Sequence, residues 1–329
     1  MKKEKMITGF DNKLPERKDV VRAYSIVAKY ASRTPILQSQ SVNTILASNL
    51  FLKCENFQKV GAFKFRGASN AVFSLTEEEA KQGVITHSSG NHAAALALAA
   101  KMRGIPSFIV MPENAPSIKK KAVDGYGAKI TFCPATQKDR EETQARIQQE
   151  TGATFIHPYN NFNVICGQGT ASLELLEELP ELDVVIAPVG GGGLLSGTLT
   201  YVKGFNPSIK VYGAEPINAD DAFRSIRDNV IYPSESPKTI ADGLLTSLCE
   251  LTYDIISIKS DGILTVSEKG IVDAMRLVWE RMKIIIEPSS AVPIAAIIEH
   301  PQYFKGKRVG VIISGGNVDL ESLPFGKNI

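Results

Sequence analysis

Short apolar runs alternate with longer stretches of helical periodicity along most of the chain. The runs are rich in β-branched residues and lie at 83–87, 107–111, 129–133, 183–189, 210–216, 263–267 and 308–314. Runs of this kind are typical of strands, and the stretches between them have the spacing of helices. Because the strands are apolar at nearly every position, they predict parallel sheets that helices cover on both faces.

Three strand–helix repeats lie within the segment 77–160, and two of their helices carry charged stretches, at 119–121 and 138–150. The second helix of this segment is expected to start near Pro116, and the other two end at Gly104 and Gly152, because glycine is common at helix C-termini. We predict that the segment forms a small mobile domain inserted into a larger domain made of residues 1–76 and 161–329.

Composition excludes several classes of protein. The chain has 329 residues, of which 43% are hydrophobic and 22% charged, as in ordinary globular proteins. A net charge of +2 gives no electrostatic signature of a nucleic-acid or membrane-surface partner. No apolar run approaches the roughly 18–20 residues that span a bilayer. The N-terminus lacks the apolar core of a secretory signal, so a cytoplasmic location is expected.

Cysteine and histidine are scattered along the chain. Neither the cysteines nor the histidines have the spacing of a zinc site or of a disulfide framework. His87 and His92 share one segment but lack the context of metal ligands, so they are interpreted as structural or solvated side chains.

Four consecutive glycines follow a predicted strand in PVGGGGLLSG, at 188–197. Successive glycine N–H groups and the N-terminus of the next helix together favour binding of a phosphate. A plain strand–helix turn is the alternative. It needs only one or two glycines, and each costs about 0.5–1 kcal/mol relative to alanine. We therefore favour a phosphate site formed by Gly190, Gly191, Gly192 and Gly193.

A lysine lies between two phenylalanines, Phe63 and Phe65, in KVGAFKFRGASNA. Apolar neighbours lower the pKa of an amine, which makes Lys64 a candidate nucleophile. The alternative is an ordinary lysine whose stem is buried and whose amine reaches water.

Two polar motifs follow predicted strands. HSSGNHAAA opens a helix with Ser88, Ser89 and Asn91, an arrangement that suits a carboxylate but is also compatible with a simple helix cap. ISGGNVD places Ser314 at the carboxyl end of the last strand, where α/β sheets bind ligands, although an ordinary turn is the alternative.

Together these segments resemble the fold type II pyridoxal-phosphate (PLP) enzymes, most closely the serine/threonine dehydratase and serine racemase group. The matching segments follow the family's order and are ENFQKVGAFKFRGA, SSGNHA, GQGT, PVGGGGLLSG, GAEP and SGGNVD. The resemblance implies an α/β fold like that of tryptophan synthase β, with two parallel-sheet domains. The large domain would bind PLP, and the small one would close over the substrate.

The resemblance also implies roles for single residues. Lys64 would hold PLP covalently and act as the catalytic base, with Phe63 packed on the pyridine ring. Asn91 would bind the phenolic oxygen, and the four glycines would bind the phosphate. Ser314 would face the pyridine nitrogen. A hydroxyl does not keep that nitrogen protonated as a carboxylate would, which favours prompt loss of a β-leaving group.

Two adjacent serines would serve the substrate. Ser88 and Ser89 would bind its carboxylate, and Ser89 would also be catalytic if it exchanged a proton on the face opposite Lys64. That role gives racemisation, whereas a helix-capping role for Ser89 does not, and both stay open. Tyr159, in the sequence His-Pro-Tyr, resembles the dehydratase branch more than the vertebrate racemases.

The segment GAEPINADD resembles a divalent-cation site in which Glu215, Asp221 and the carbonyl of Ala219 are ligands. Hard oxygen ligands select Mg²⁺, Ca²⁺ or Mn²⁺. A solvated acidic loop is the alternative. Glu287, in IIIEPSSA, also matches a family segment, but its role is left open.

The activity expected from the resemblance is that of a PLP-dependent threonine/serine ammonia-lyase. Such an enzyme eliminates water from a β-hydroxy amino acid to give a 2-oxo acid and ammonia. Serine racemase with dehydratase activity and 3-hydroxyaspartate dehydratase are the alternatives. A β-replacement enzyme fits less well, because its lysine segment differs from KVGAFKFRGA. The expected partner is a small amino-acid substrate, and the resemblance implies a homodimer.

Overall fold

The computed structural model describes residues 13–88, 90–115 and 117–325. Three predictions fall outside this range: the role of Ser89, the helix start near Pro116 and the absence of a secretory signal. The last of these concerns mainly the first twelve residues. The predicted α/β architecture with two sheets is confirmed. The strands are β1 (Ile36–Leu37), β2 (Asn49–Cys54), β3 (Val84–His87), β4 (Ser107–Pro112), β5 (Lys129–Cys133), β6 (Thr154–Phe155), β7 (Val184–Pro188), β8 (Lys210–Pro216), β9 (Gly262–Val266) and β10 (Arg308–Ile313).

Helices connect most of these strands. Short 3₁₀ turns complete the connections. The α-helices are α1 (Arg17–Tyr30), α2 (Gln40–Leu46), α3 (Lys64–Phe73), α4 (Glu77–Gln82), α5 (Asn91–Arg103), α6 (Ser117–Gly125), α7 (Gln137–Thr151), α8 (Phe162–Glu178), α9 (Gly193–Phe205), α10 (Asp221–Asp228), α11 (Glu250–Lys259), α12 (Glu268–Met282) and α13 (Pro288–Glu299).

The larger sheet has six strands in the order β1-β2-β10-β7-β8-β9. All its neighbours are parallel except β1 and β2, which pair antiparallel at one edge. The smaller sheet is parallel, has the order β5-β4-β3-β6, and uses only strands between Val84 and Phe155. Its strands therefore all lie in the segment that the sequence analysis assigned to an inserted domain.

The larger sheet is buried on both faces. Val184 and Ile186 of β7 belong to one apolar cluster, in which α13 also takes part. Val185 and Ala187 belong to a second cluster, which includes side chains of α8 and α9. Because side chains alternate across a strand, a strand that is apolar at successive positions has helices on both of its faces.

Four charged side chains form a buried cluster at α3. Arg66 donates to Glu55 and to Glu174, with nitrogen–oxygen distances of 2.7 Å to each carboxylate. Lys53 of β2 donates to the same Glu174 at 2.6 Å. The two positive and two negative charges balance, and the cluster ties β2, α3 and α8 together.

No helix in the described part of the chain is long and apolar enough to cross a membrane.

Candidate active site

A cavity of about 260 Å³ lies at the carboxyl ends of strands from both sheets. Parallel strands bring their carboxyl ends to one edge, so segments far apart in sequence meet there. The predicted residues on its wall are Phe63, Lys64, Ser88, Asn91, Gly190, Gly191, Gly192, Gly193 and Ser314. Ser89 lies outside the described residues. The predicted cation ligands Glu215, Ala219 and Asp221 do not line this cavity.

Lys64 is the first residue of α3 and its amine opens onto the cavity. Its Nζ lies 3.2 Å from the carbonyl oxygen of Pro158 and 5.1 Å from the centre of the Phe63 ring. The N–H of Phe63 donates to the carbonyl of Ser314 at 2.9 Å, which fixes the lysine segment to the end of β10. Burial lowers the pKa of Lys64 to about 8, although the Glu287 carboxylate acts to raise it.

We expect the apoprotein to react with an aldehyde faster as the pH rises. Only the neutral amine is nucleophilic, so with a Lys64 pKa of about 8 the rate of imine formation with pyridoxal increases about tenfold per pH unit below that value and levels off above it. Stopped-flow absorbance between pH 6 and 10 measures this profile. A rate that still climbs at pH 10 contradicts the lowered pKa.

The four glycines are required by close packing as well as by any ligand. A Cβ on Gly191 would lie 2.4 Å from carbons of the Tyr159 ring, and one on Gly190 would lie 3.0 Å from Leu244 Cα. Gly192 has a φ of +84°, in the left-handed region. The sequence argument, which favoured anion binding over a plain strand–helix turn, did not consider this packing.

The glycine loop nevertheless has the properties of a phosphate site. Among the described residues, no acceptor forms a hydrogen bond with the backbone N–H groups of Gly190 to Gly193. The loop leads directly into α9, whose N-terminal end carries partial positive charge. Unpaired N–H groups at the start of a helix fit the phosphate of PLP.

The start of α5 is a second site for an anion. Gly90 precedes the helix, and no side chain caps it within the described residues. The Ser88 hydroxyl accepts the N–H of Gly90 at 3.4 Å and does not cap the helix. Free N–H groups beside a hydroxyl suit a substrate carboxylate.

Glu287 joins Asn91 and Asn317 in one hydrogen-bonded group. The Asn91 amide donates to both Glu287 oxygens at 3.3 Å, and the N–H of Asn317 donates to Oε2 at 3.2 Å. The Asn317 amide donates to Asn91 Oδ1 at 2.9 Å. Glu287 is buried on the cavity wall at the start of α13. The structure thus places in the site a carboxylate whose role the sequence left open.

Ser314 is buried beside a second hydroxyl. Its Oγ lies 2.9 Å from Oγ of Ser290, which also accepts the N–H of Gly315 at 2.7 Å. A neutral hydroxyl thus lines this part of the cavity wall.

Two histidines that the sequence analysis interpreted as structural or solvated, and one arginine that it did not single out, lie on the cavity wall. His87, His92 and Arg140 all line the cavity, and the centre of the His157 ring, which is not part of the wall, lies 6.0 Å from that of the His87 ring. Burial lowers the pKa of His157 to about 3 and the pKa of His92 well below its ordinary value, so both rings are neutral. His87 ends β3 and His157 follows β6. Their positions at the carboxyl ends of strands, where α/β sheets bind ligands, could have indicated that they lie near the site.

The predicted cation ligands lie between the end of β8, which contains Glu215, and the start of α10, which contains Asp221. Glu215 accepts the N–H groups of Ala222 and Phe223, at 3.3 and 2.5 Å. Asp221 is buried, and its Oδ2 has no hydrogen-bond partner among the described residues. Asp220 differs, because it forms an ion pair with Arg224 at 2.7 Å. Within the described residues, no three His, Cys, Asp or Glu side chains form a ready metal site.

Proteins of known activity resemble this chain over most of its length. The chain is 50% identical to the beta-hydroxyaspartate dehydratase of Paracoccus denitrificans, over 95% of this chain and 99% of that protein. It is 52% identical to the serine racemase of Dictyostelium discoideum, over 93% of this chain and 96% of that protein. The crystal structure of the T.th. threonine deaminase matches with a TM-score of 0.89 and 42% identity, over 93% of this chain and 99% of that one.

Most residues of the cavity wall lie in the part of the chain that matches a family profile. The profile of the pyridoxal-phosphate dependent enzymes matches residues 27–315, a range that includes Lys64, the glycine loop and Ser314. The chain therefore belongs to the pyridoxal-phosphate dependent enzyme family.

Proposed function

We propose that this protein is an ammonia-lyase that eliminates water from a β-hydroxy amino acid and releases a 2-oxo acid and ammonia. The observation that carries the proposal is the meeting of three groups in one cavity: the Lys64 amine, the unpaired N–H groups of the glycine loop and the Ser314 hydroxyl. The names of the dehydratase, racemase and deaminase relatives support the substrate class.

The residues around the cavity fit PLP. The glycine loop would hold the phosphate, Phe63 would pack on the pyridine ring, Asn91 would reach the phenolic oxygen and Ser314 would face the ring nitrogen. When bound, PLP supplies an electron sink that weakens the bonds to the substrate Cα.

Lys64 would accept the proton from the substrate Cα, and the start of α5 would bind the substrate carboxylate. The lowered pKa of Lys64, about 8, leaves its amine able to accept the Cα proton near neutral pH. The carbonyl of Pro158 orients this amine. The α5 N-terminus and Ser88 would hold the substrate carboxylate.

Part of this cavity wall comes from the segment 77–160, which supplies Ser88, Asn91 and Arg140. We therefore propose that this segment is a domain that closes on the substrate, while Lys64, the glycine loop and Ser314 belong to the large domain. Closure of this kind excludes water from the reacting atoms.

Arg140 favours 3-hydroxyaspartate as a second candidate substrate. Within the described residues, its side chain donates only from Nε to the carbonyl of Thr136, at 3.4 Å, and pairs with no carboxylate. An unpaired guanidinium on the wall would bind the second carboxylate of a dicarboxylic substrate. Serine racemase activity stays the other alternative, since it depends on Ser89.

A product assay with L-threonine, L-serine and 3-hydroxyaspartate tests the proposal. We expect 2-oxo acids from the wild-type protein, and formation of D-serine alone would contradict the lyase assignment.

If Arg140 binds the second carboxylate, Arg140→Met raises KM for 3-hydroxyaspartate by about tenfold or more and leaves KM for L-serine unchanged. Arg146→Met is the control, because Arg146 is exposed on the same helix and pairs with Glu150. Equal KM values in the two variants would remove Arg140 from substrate binding.

We further propose that Glu215, Asp221 and the carbonyl of Ala219 bind a divalent cation such as Mg²⁺. Both carboxylates are buried, which raises the pKa of Asp221 to about 6 and that of Glu215 well above its ordinary value. A cation would offset the cost of burying two carboxylates close together.

Mg²⁺ is therefore expected to stabilise the fold. At a concentration one hundred times its dissociation constant, the free energy of unfolding rises by about 2.7 kcal/mol. Asp221→Asn should abolish this gain, whereas Asp220→Asn should keep it because Asp220 is paired with Arg224. Thermal unfolding with Mg²⁺ or with EDTA measures the effect. Melting temperatures that Mg²⁺ does not change would exclude the site.

A further inference from the structure

The segment from His157 to Asn161 contacts both halves of the expected cofactor site. The carbonyl of Pro158 lies 3.2 Å from the Lys64 amine. The next residue, Tyr159, packs on the glycine loop: Cβ atoms added to Gly191 and Gly193 would lie 2.4 Å from its ring and 2.8 Å from its Cβ. Neighbouring residues of one short segment thus touch the lysine and the phosphate loop.

The Tyr159 ring is held firmly in this position. Its centre lies 4.6 Å from that of the His157 ring, in an edge-on arrangement. Nδ1 of His157 accepts the N–H groups of Tyr159 and Asn160, at 3.3 and 2.8 Å. The Asn161 side chain then caps α8 by accepting the N–H of Val164 at 3.0 Å. The backbone of the segment is therefore fixed at both ends.

The hydroxyl of Tyr159 hydrogen-bonds to neutral side chains, and the Asp221 carboxylate acts on it at longer range. Burial raises the pKa of Tyr159, and its hydroxyl faces Thr246 and Cys249, so it stays neutral. The contact with the glycine loop is made by ring carbons and by Cβ, not by the hydroxyl.

We propose that Tyr159 is a positioning residue whose ring covers the glycine loop and keeps water from the N–H groups that bind the phosphate of PLP. Hydrogen bonds and charge interactions are stronger where water is excluded. The ring thus increases the affinity of the loop for a phosphoryl group. The proposal rests on the proposed function, since it assumes that the loop binds PLP.

The test compares binding of PLP with binding of pyridoxal, which lacks the phosphate. Dissociation constants are measured with the apoprotein by absorbance, for wild type, Tyr159→Leu and Tyr159→Phe. Tyr212→Leu is the control, because Tyr212 is a partly buried tyrosine of β8 that packs on Tyr303 and does not line the cavity.

The ratio of the two dissociation constants isolates the phosphate contribution. In Tyr159→Leu we expect the preference for PLP over pyridoxal to fall about tenfold or more, with the affinity for pyridoxal nearly unchanged. Tyr159→Phe and Tyr212→Leu should keep the wild-type ratio. A general loss of folding would weaken both ligands equally and leave the ratio intact.

Two results would overturn the proposal. An unchanged ratio in a Tyr159→Leu protein that still binds pyridoxal with the wild-type affinity means that the ring does not serve the phosphate loop. A ratio that falls as far in Tyr159→Phe as in Tyr159→Leu assigns the effect to the hydroxyl. Failure of the premise that the glycine loop binds PLP is recognised separately, because the wild-type protein would then show no preference for PLP over pyridoxal, and failure of the lyase assignment is recognised by the product assay.

Discussion

We expect Lys64→Ala to lose the coloured covalent adduct with PLP and to lower turnover by more than about a thousandfold. The substitution removes the nucleophile that holds the cofactor and the base that takes the Cα proton. Absorbance spectra of the reconstituted protein and assays of 2-oxo acid formation measure the two losses.

Lys59→Ala is the matched control for this variant. Lys59 lies five positions earlier, its amine donates to the carbonyl of Tyr30, and it does not line the cavity. We expect its spectrum and turnover to stay close to those of the wild type. Retention of the adduct in Lys64→Ala would show that another amine holds the cofactor.

Glu174→Ala should destabilise the apoprotein by about 3–5 kcal/mol, because it leaves buried cations without their counter-charge. Glu174 accepts from both Arg66 and Lys53, and all three side chains are almost fully buried. Urea denaturation gives the free energy of unfolding.

Glu178→Ala, on the same helix, is the control. Glu178 pairs with Arg33 at 3.0 Å, but both side chains are largely exposed. Removing a surface pair of this kind costs about 0–1 kcal/mol. Equal losses in the two variants would mean that the buried cluster does not support the fold in the way proposed.

The strand–helix alternation could be predicted from the sequence because most strands are apolar on both faces. The expected strand at 210–216 is β8 as observed, and the helix ending at Gly152 is α7. β2 was missed, since the run at 50–54 contains Lys53 and is followed by Glu55. The buried charge of Lys53 is paired with Glu174. Because Glu174 lies far away in the sequence, no local pattern indicates this pairing.

The parts of the candidate site that lie in one local motif could be predicted from the sequence. The parts formed by side chains that are distant in sequence could not. Lys64 and the glycine loop could be located from neighbouring residues alone. The packing of Tyr159 against Gly191, and the bonds from Asn91 and Asn317 to Glu287, join segments whose proximity no local pattern encodes. Arg140 was missed for the same reason, because a charged residue on a polar helix gives no sign of the cavity that it faces.

The most direct test of the account is to locate the bond between protein and cofactor. The holoprotein is reduced with borohydride, digested, and mapped by mass spectrometry for peptides that carry a pyridoxyl group. The account predicts a single modified peptide with the group on Lys64. Modification on a different lysine, or on no lysine at all, would contradict it.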